Sequence, residues 1–283
     1  MQGLSKIQLV FLVLTLACTG PVVTAEASPC PTGLIAQYEF DGDVADATDP
    51  TNADKNAILA GDGGQASLSS DEKVSGSHSL RLLSDAGTNT YAILPSFQVG
   101  TTITISTWFQ WNLATSYDTS YQKLFFFTDT GKAWKFYINR PLNSKNLDVT
   151  LVYSGGWCNY KPTTDFQDNV WYHFVVSIDD TAGMKVYVDG TYQPPVTGST
   201  QCTWPATSDP ITFDENYLGR HQSENKDNFD GYIDDFQIYD AELSAAEVQT
   251  LYQEGSSSCS VPAETDCDAV SVSYWSIRKS TCS

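Results

Sequence analysis

Short segments in which hydrophobic and polar residues alternate with a period of two make up most of the chain, as in TITISTWFQW and GYIDDFQIY. Turn residues separate these segments, including the Asp-Gly pairs at Asp41-Gly42 and Asp189-Gly190. Such alternation places one face of each strand against a core and the other outside it. Because the segments are short and closely spaced, with no helical repeats between them, the pattern predicts an all-β sandwich.

One short helix is predicted near the C-terminal end, where apolar residues recur at helical spacing in LSAAEVQTLYQEG. Ser244 is followed three residues later by Glu247, which is the pattern of a capping box at a helix start. Gly255 can end the helix, because glycine tolerates the backbone conformation found just after a helix.

The N-terminal residues 1–25 have the pattern of a secretory signal peptide. Lys6 precedes an apolar run from Leu9 to Ala17, and small residues lead up to a predicted cleavage after Ala25. The run is shorter than the ~20 residues that a membrane span requires. An acylated lipoprotein with Cys18 as the modified residue is the alternative. We therefore expect a secreted, extracellular protein without a membrane span.

The expected domain covers residues 26–255, and residues 256–283 form a Cys-containing C-terminal tail with too few apolar residues for a core. The formal net charge of the chain is -19, which disfavours nucleic acid and anionic membranes as partners. Of the 34 acidic residues, 25 are aspartates. Aspartates in turns are compatible with calcium, which prefers oxygen ligands.

Six segments, in order between Leu34 and Gly255, together resemble the laminin-G-like jelly rolls of the concanavalin A-like lectin/glucanase superfamily. These segments are YEFDGDVADA, VSGSHSLRL with TYAILP, TITISTWFQW, VWYHFVVSIDDTAGMKVYVDG, YLGR and FDGYIDDFQIYDAELSAAEVQTLY. The resemblance implies two packed antiparallel sheets of jelly-roll type. It agrees with the alternation described above.

The aspartate pair in GYIDDFQIY is unusual, because aspartate is depleted in strands. Simple alternation places Asp234, Phe236 and Ile238 on the inward face and turns Asp235 towards solvent. The resemblance implies a structural calcium at Asp234, held together with backbone carbonyls of the first strand region. Asp41 is the candidate for a nearby side-chain oxygen donor. The alternative is that Asp234 accepts backbone N–H bonds at a turn.

Two turn-rich segments, GGWCNYKP and TQCTWP, lie outside the resemblance. A bridge between Cys158 and Cys202 would bring Trp157, Tyr160 and Trp204 close together. These rings could then form a platform on which sugar rings stack. The alternative is that the tryptophans pack beneath their own loops.

Six cysteines remain after the signal peptide, and an even number in an exported chain indicates disulfides. Six cysteines allow 15 pairings, so the sequence alone leaves the connectivity open. Because domain ends often lie close together, the preferred set is Cys158–Cys202, Cys30–Cys259 and Cys267–Cys282. No CxxC pair occurs and the three histidines are widely spaced, so zinc is not expected.

The sequence does not indicate an enzyme. The E-x-D-x-x-E strand of the glucan-hydrolysing relatives does not occur. The resemblance implies that His173 has a packing role rather than a catalytic one. We expect a secreted binding module that recognises glycans or glycoproteins at a cell surface or in extracellular matrix. The alternatives are a structural or adhesion protein that binds other proteins and, less expected, a glycoside hydrolase or lyase.

Overall fold

The computed structural model describes residues 31–85, 88–112, 121–141, 144–200, 203–205, 209–222 and 228–254. Two large antiparallel sheets pack face to face, and a single α-helix, α1, spans Ala245–Glu254 in this part of the chain. The predicted all-β sandwich with one short C-terminal helix is confirmed. The segments predicted to be a signal peptide (1–25) and a cysteine-containing tail (256–283) lie outside the described residues.

The first sheet has eight strands, with β1 paired to one end of β18 beside the main path. Its path runs through β15 (Thr191–Gln193), β14 (Met184–Val188), β13 (Trp171–Asp179), β8 (Thr102–Trp111), β18 (Gly231–Tyr239), β4 (Ser79–Leu82) and β3 (Ser67–Ser69), with β1 at Leu34–Tyr38.

The second sheet also has eight strands, with the two-residue β5 (Ser84–Asp85) beside β6. Its path runs through β12 (Gly156–Tyr160), β11 (Asp148–Tyr153), β10 (Lys135–Pro141), β9 (Tyr121–Thr128), β17 (Glu215–Leu218), β6 (Thr88–Leu94) and β2 (Ile58–Asp62). A small pair, β7 (Phe97–Val99) with β16 (Ile211–Phe213), and a 3₁₀ turn at Ala53–Lys55 complete the elements.

The core fills the space between the two sheets and is rich in aromatic side chains. Phe125 and Phe127 of β9 stack on one another at 4.7 Å and reach Phe236 of β18 at 6.1 and 6.2 Å. All three side chains are buried. Burying such a ring is worth about 1.5–3 kcal/mol relative to leaving it exposed, so this contact is a main reason the sheets stay together.

Helix α1 packs on the outer face of the first sheet. Val248 and Leu251 lie with Leu243 against Val175 and Tyr239 in a second, smaller apolar cluster. The predicted capping box forms: the Glu247 carboxylate accepts from the Ser244 N–H at 2.8 Å, and the Ser244 hydroxyl oxygen accepts from the Glu247 N–H at 3.3 Å. Among the described residues, no helix is both long and apolar enough to cross a membrane.

A bulge at Asp235 changes the pattern that alternation predicts for β18. Asp234 pairs with Trp108, whereas Gln237 pairs with Ser106, so β18 carries one extra residue, and Asp235 has φ of 46°. Asp234 therefore shares the outer face with Trp108, while Phe236 reaches the core. The prediction that Asp234 and Phe236 share a face was wrong. The prediction that Asp235 points to solvent was also wrong, because Asp235 is buried.

Candidate functional site

The outer face of the second sheet carries a row of aromatic rings. Registers align Tyr137 of β10 with Phe126 of β9, and Phe126 with Tyr217 of β17. Side chains two residues apart on a strand share a face, and the register shift in β9 between Phe125 and Lys123 brings Tyr121 to the same side as Phe126. We call this surface the aromatic face and define it by Tyr91, Tyr121, Phe126, Tyr137, Trp157 and Tyr217.

The rings of the aromatic face pack against each other. Phe126 stacks on Tyr137 at 5.3 Å and lies 4.5 Å from the ring of His221. Tyr91 and Tyr217 meet edge to face at 6.1 Å. Phe126 is buried yet takes no part in the core between the sheets. Trp157, on the edge strand β12, is 61% exposed and presents the most accessible ring of the group.

Two cations lie over these rings. The guanidinium of Arg220 lies 4.1 Å from the ring centre of Tyr91 and 5.1 Å from that of Tyr217. The amine of Lys123 lies 5.0 Å from the ring of Tyr137 and 5.2 Å from that of Tyr121. Contacts of this kind stabilise a partly desolvated cation by about 0.5–2 kcal/mol.

Amide and hydroxyl groups line the part of the face next to Tyr137. Lys123 donates to the Oδ1 of Asn139 at 3.2 Å, and the Nδ2 of Asn159 donates to the Thr150 hydroxyl at 3.1 Å. Asn159 is only 9% exposed, and its Oδ1 has no hydrogen-bond partner. A buried carbonyl oxygen without a partner costs about 1–3 kcal/mol.

Asp148 of β11 lies opposite Asn139 of β10 on the aromatic face, and its carboxylate pairs with Lys161 at 3.7 Å. Burial raises the pKa of Asp148, and the positive charge of Lys161 opposes that rise. Burial likewise raises the pKa of Tyr217, whereas the nearby Arg220 acts to lower it. The face thus combines neutral donors, acceptors and both signs of charge around stacked rings.

The structure does not place the three predicted platform residues together on the surface. GGWCNYKP is not a turn but the edge strand β12, in which Trp157 points outwards and Tyr160 points into the core. The Tyr160 hydroxyl donates to the Gln193 carbonyl at 2.5 Å. Trp204 is buried. The shared Trp157–Tyr160–Trp204 platform was therefore a wrong expectation of geometry, because alternate strand residues face opposite ways.

Trp204 instead begins a stack of rings at the rim of the sandwich. It lies 5.4 Å from Trp134, which lies 6.0 Å from Tyr153. Tyr153 lines a groove of about 530 Å³ with Met184, and Trp134 lines another of about 460 Å³. These rim grooves are separate from the aromatic face.

Asp129, Asp209 and Asp214 line the second of these grooves. Asp129 accepts from the Trp134 N–H at 2.6 Å, and Asp214 accepts from the Thr130 hydroxyl. These bonds give Asp129 and Asp214 a role in shaping the turn. His173 also has a structural setting: burial lowers its pKa to about 3, and Nε2 lies 3.0 Å from the Ser106 hydroxyl.

Both aspartates predicted to bind calcium hold one loop in place. The Oδ2 of Asp234 accepts from the N–H groups of Val74 and Ser75 at 2.8 and 3.3 Å. The Oδ1 of Asp41 accepts from the N–H of Ser77 at 2.6 Å. Two carboxylates thus hold the loop between β3 and β4. For Asp234 this matches the alternative role, in which it accepts backbone N–H bonds at a turn.

Burial of Asp234 raises its pKa to about 7, and the charge of Asp235 adds to the rise. Three backbone N–H bonds, from Val74, Ser75 and Asp235, act in the opposite direction. Among the described residues, no group of three His, Cys, Asp or Glu side chains is arranged to hold a metal ion. The recorded hydrogen bonds to the carboxylates of Asp234 and Asp41 come from backbone N–H groups, and calcium stays a prediction.

Of the predicted disulfide partners, Cys158 alone lies among the described residues. It is buried and disulfide-bonded. Backbone hydrogen bonds of 3.2 and 2.8 Å join Asn159 to Thr200, which brings the chain before Cys202 beside β12. The pairings Cys158–Cys202, Cys30–Cys259 and Cys267–Cys282 stay predictions.

Sequence reasoning missed most of the aromatic face. A signal was present in KLFFFTD, where three consecutive phenylalanines cannot all point into one core, because Phe126 faces the opposite way from Phe125 and Phe127. No local pattern relates Tyr91 to Tyr217, because they lie on strands far apart in the chain.

A family model described as the concanavalin A-like lectin/glucanases superfamily matches residues 85–249, which is more than half of the chain. No curated protein matches the chain in sequence. Solved structures do match. Domain 4 of AbnA, a GH43 extracellular arabinanase from Geobacillus stearothermophilus in complex with arabinotriose, has a TM-score of 0.57 at 21% identity, covering 78% of this chain and 98% of that one.

Toxin domains share the fold as well. The binding domain of botulinum neurotoxin DC in complex with SialylT has a TM-score of 0.56 at 14% identity, covering 79% of this chain and 52% of that one. The ligand-binding domain of serotype D in complex with N-acetylneuraminic acid has a TM-score of 0.54 at 16% identity, covering 78% and 51%. The chain spans about half the length of these toxin domains. At such identities the likeness shows a common fold.

Proposed function

The chain belongs to the concanavalin A-like lectin/glucanases superfamily, and from this premise we propose that it is a secreted module that binds glycans or glycoproteins at a cell surface or in extracellular matrix. The observation that carries the proposal is the aromatic face, where stacked rings lie beside amide and hydroxyl groups on one side of the second sheet. Because the superfamily holds many functions, membership alone does not identify the ligand, and the aromatic face is the feature that favours glycans.

Sugars suit such a surface for two reasons. The C–H side of a sugar ring is apolar and stacks on an aromatic ring, and Trp157 offers an exposed one. Sugar hydroxyls need hydrogen-bond partners, and the amide and hydroxyl groups of Asn139, Asn159 and Thr150 lie on the same face as Trp157. Arabinotriose bound to the arabinanase domain supports this reading by analogy of fold.

We propose binding without catalysis. The superfamily includes glycosidases, so hydrolysis is the competing enzymatic function. In the rim groove, the carboxylates of Asp129 and Asp214 each accept a hydrogen bond from the turn that they shape. Incubating any bound glycan with the protein and measuring new reducing ends tests this directly, and sustained release of reducing ends would establish an enzyme.

A glycan array with the full mature chain tests the proposal. The variants are Trp157→Ala and Tyr137→Ala on the aromatic face, with Tyr192→Ala as the control, because Tyr192 is 46% exposed on the edge of the first sheet. Each face variant should lose about tenfold in affinity, which corresponds to ~1.4 kcal/mol. The control should bind like the wild type.

Folding of each variant is checked by its melting temperature, so that a loss of binding is not mistaken for unfolding. If the folded wild-type protein binds no glycan but captures an extracellular protein, the module is a structural or adhesion component and the proposal fails. If glycans bind equally well to Trp157→Ala and Tyr137→Ala, the site lies elsewhere on the molecule.

A further inference from the structure

Arg220 is held rigidly on the aromatic face. Its guanidinium lies over the rings of Tyr91 and Tyr217 at 4.1 and 5.1 Å. Its Nε donates to the carbonyl of His221 at 2.9 Å, and one Nη lies 3.5 Å from the carbonyl of Gln222. Because two rings and a backbone carbonyl fix the side chain, it loses little entropy when it binds a ligand.

No carboxylate of the described chain forms an ion pair with Arg220. Other cations do form such pairs: Arg81 lies 2.7 Å from Asp230, and Lys161 lies 3.7 Å from Asp148. The chain has 34 acidic residues against 15 Lys and Arg, so a basic side chain would readily find an acidic neighbour. Aromatic rings take that place around Arg220, whose side chain is partly exposed.

A second cation lies on the neighbouring strand. Lys123 of β9 is only 5% exposed, and its amine rests on the rings of Tyr121 and Tyr137. Strand β9 pairs directly with β17, which Arg220 follows, and adjacent strands are about 4.8 Å apart. Arg220 and Lys123 therefore place two positive charges at adjacent strands of this face, with the Asp148 carboxylate two strands away from Lys123 on β11, in a chain whose net charge is -19.

We propose that the glycan bound by the aromatic face is anionic and that Arg220 recognises its carboxylate or sulfate group. The guanidinium fork fits either group with paired, charge-assisted hydrogen bonds. Four strand spacings separate β12, which bears Trp157, from β17, or about 19 Å. A ligand that reaches both residues is an extended oligosaccharide rather than a single sugar. This inference rests on the proposed function.

The test uses pairs of probes that differ in one type of anionic group. Binding of the mature chain to polygalacturonate is compared with binding to the fully methyl-esterified polymer, and binding to heparin is compared with binding to its desulfated form. The first pair isolates the carboxylate and the second isolates the sulfate. The variants are Arg220→Gln, which removes the charge, and Arg220→Lys, which keeps the charge but loses the fork.

We expect the wild type to prefer the charged member of at least one pair by tenfold or more. Arg220→Gln should weaken binding of the charged member at least tenfold more than binding of its partner probe and so remove the preference, whereas Arg220→Lys should retain part of it. Lys73→Gln is the control, because Lys73 is an exposed cation in the loop between β3 and β4 of the first sheet. It should bind like the wild type.

Three results would overturn the inference. If glycans bind with no preference for charge, the site is neutral and the proposed function stands without an anionic ligand. If Arg220→Gln weakens binding of both members of a pair equally, Arg220 only orders Tyr91 and Tyr217. If the folded protein binds no glycan of either kind, nor any on the array, the proposed function fails together with the inference.

Discussion

The raised pKa of Asp234 makes the stability of the protein depend on pH in a direction opposite to that of an ordinary salt-bridged aspartate. Burial and the charge of Asp235 raise the pKa from 3.8 in the unfolded chain to about 7 in the folded one. Below about pH 4 the carboxyl of Asp234 is protonated in both the folded and the unfolded chain, so it does not lower the free energy of unfolding. As the pH rises, the folded state resists ionisation and stability is lost.

The size of this change in stability follows from the pKa shift of Asp234. Three pKa units at 1.36 kcal/mol each give about 4 kcal/mol of unfolding free energy, lost between about pH 4 and pH 8. Asp234→Asn cannot ionise, so its stability should lack this component. Asp235→Asn should lessen the slope without removing it, because Asp235 is the second cause after burial.

Urea unfolding at a series of pH values between 4 and 8, in EDTA, measures the effect. Burial also raises the pKa of Glu39, so the quantity to compare is the difference between wild type and Asp234→Asn rather than the wild-type curve alone. That difference should change by about 4 kcal/mol over the range. Parallel curves for the two proteins would refute the reasoning.

Three further predictions concern single residues. Trp204→Ala should lower the unfolding free energy by about 3–5 kcal/mol because Trp204 is buried, whereas Trp157→Ala should change it by less than about 1 kcal/mol. Equal losses in urea unfolding would contradict the assignment of inner and outer faces. If Asp234 holds calcium, added Ca²⁺ should raise the melting temperature of the wild type and leave Asp234→Ala unchanged; a melting temperature insensitive to both EDTA and this substitution would disprove the metal. Ser244→Ala should cost about 1 kcal/mol through loss of the helix cap, with Ser154→Ala in an exposed turn as the control, and an unchanged urea midpoint would contradict that role.

Local patterns in the sequence determined the class of the fold and several of its details. Alternation in segments such as TITISTWFQW predicted the strands, because side-chain direction in a strand depends only on the position of a residue along it. The Ser244–Glu247 cap formed as expected, because both of its bonds close within four residues. The resemblance to the jelly-roll family was carried by such local segments.

Tertiary structure alone decided the composition of the candidate site. β17 inserts between β9 and β6, and this places Tyr217 between Phe126 and Tyr91, which are far apart in sequence. The bulge at Asp235 moved Asp234 to the outer face, because packing of Phe236 into the core overrode simple alternation. Strand order and bulges depend on which distant segments pack together, and a period of two carries no information about that choice.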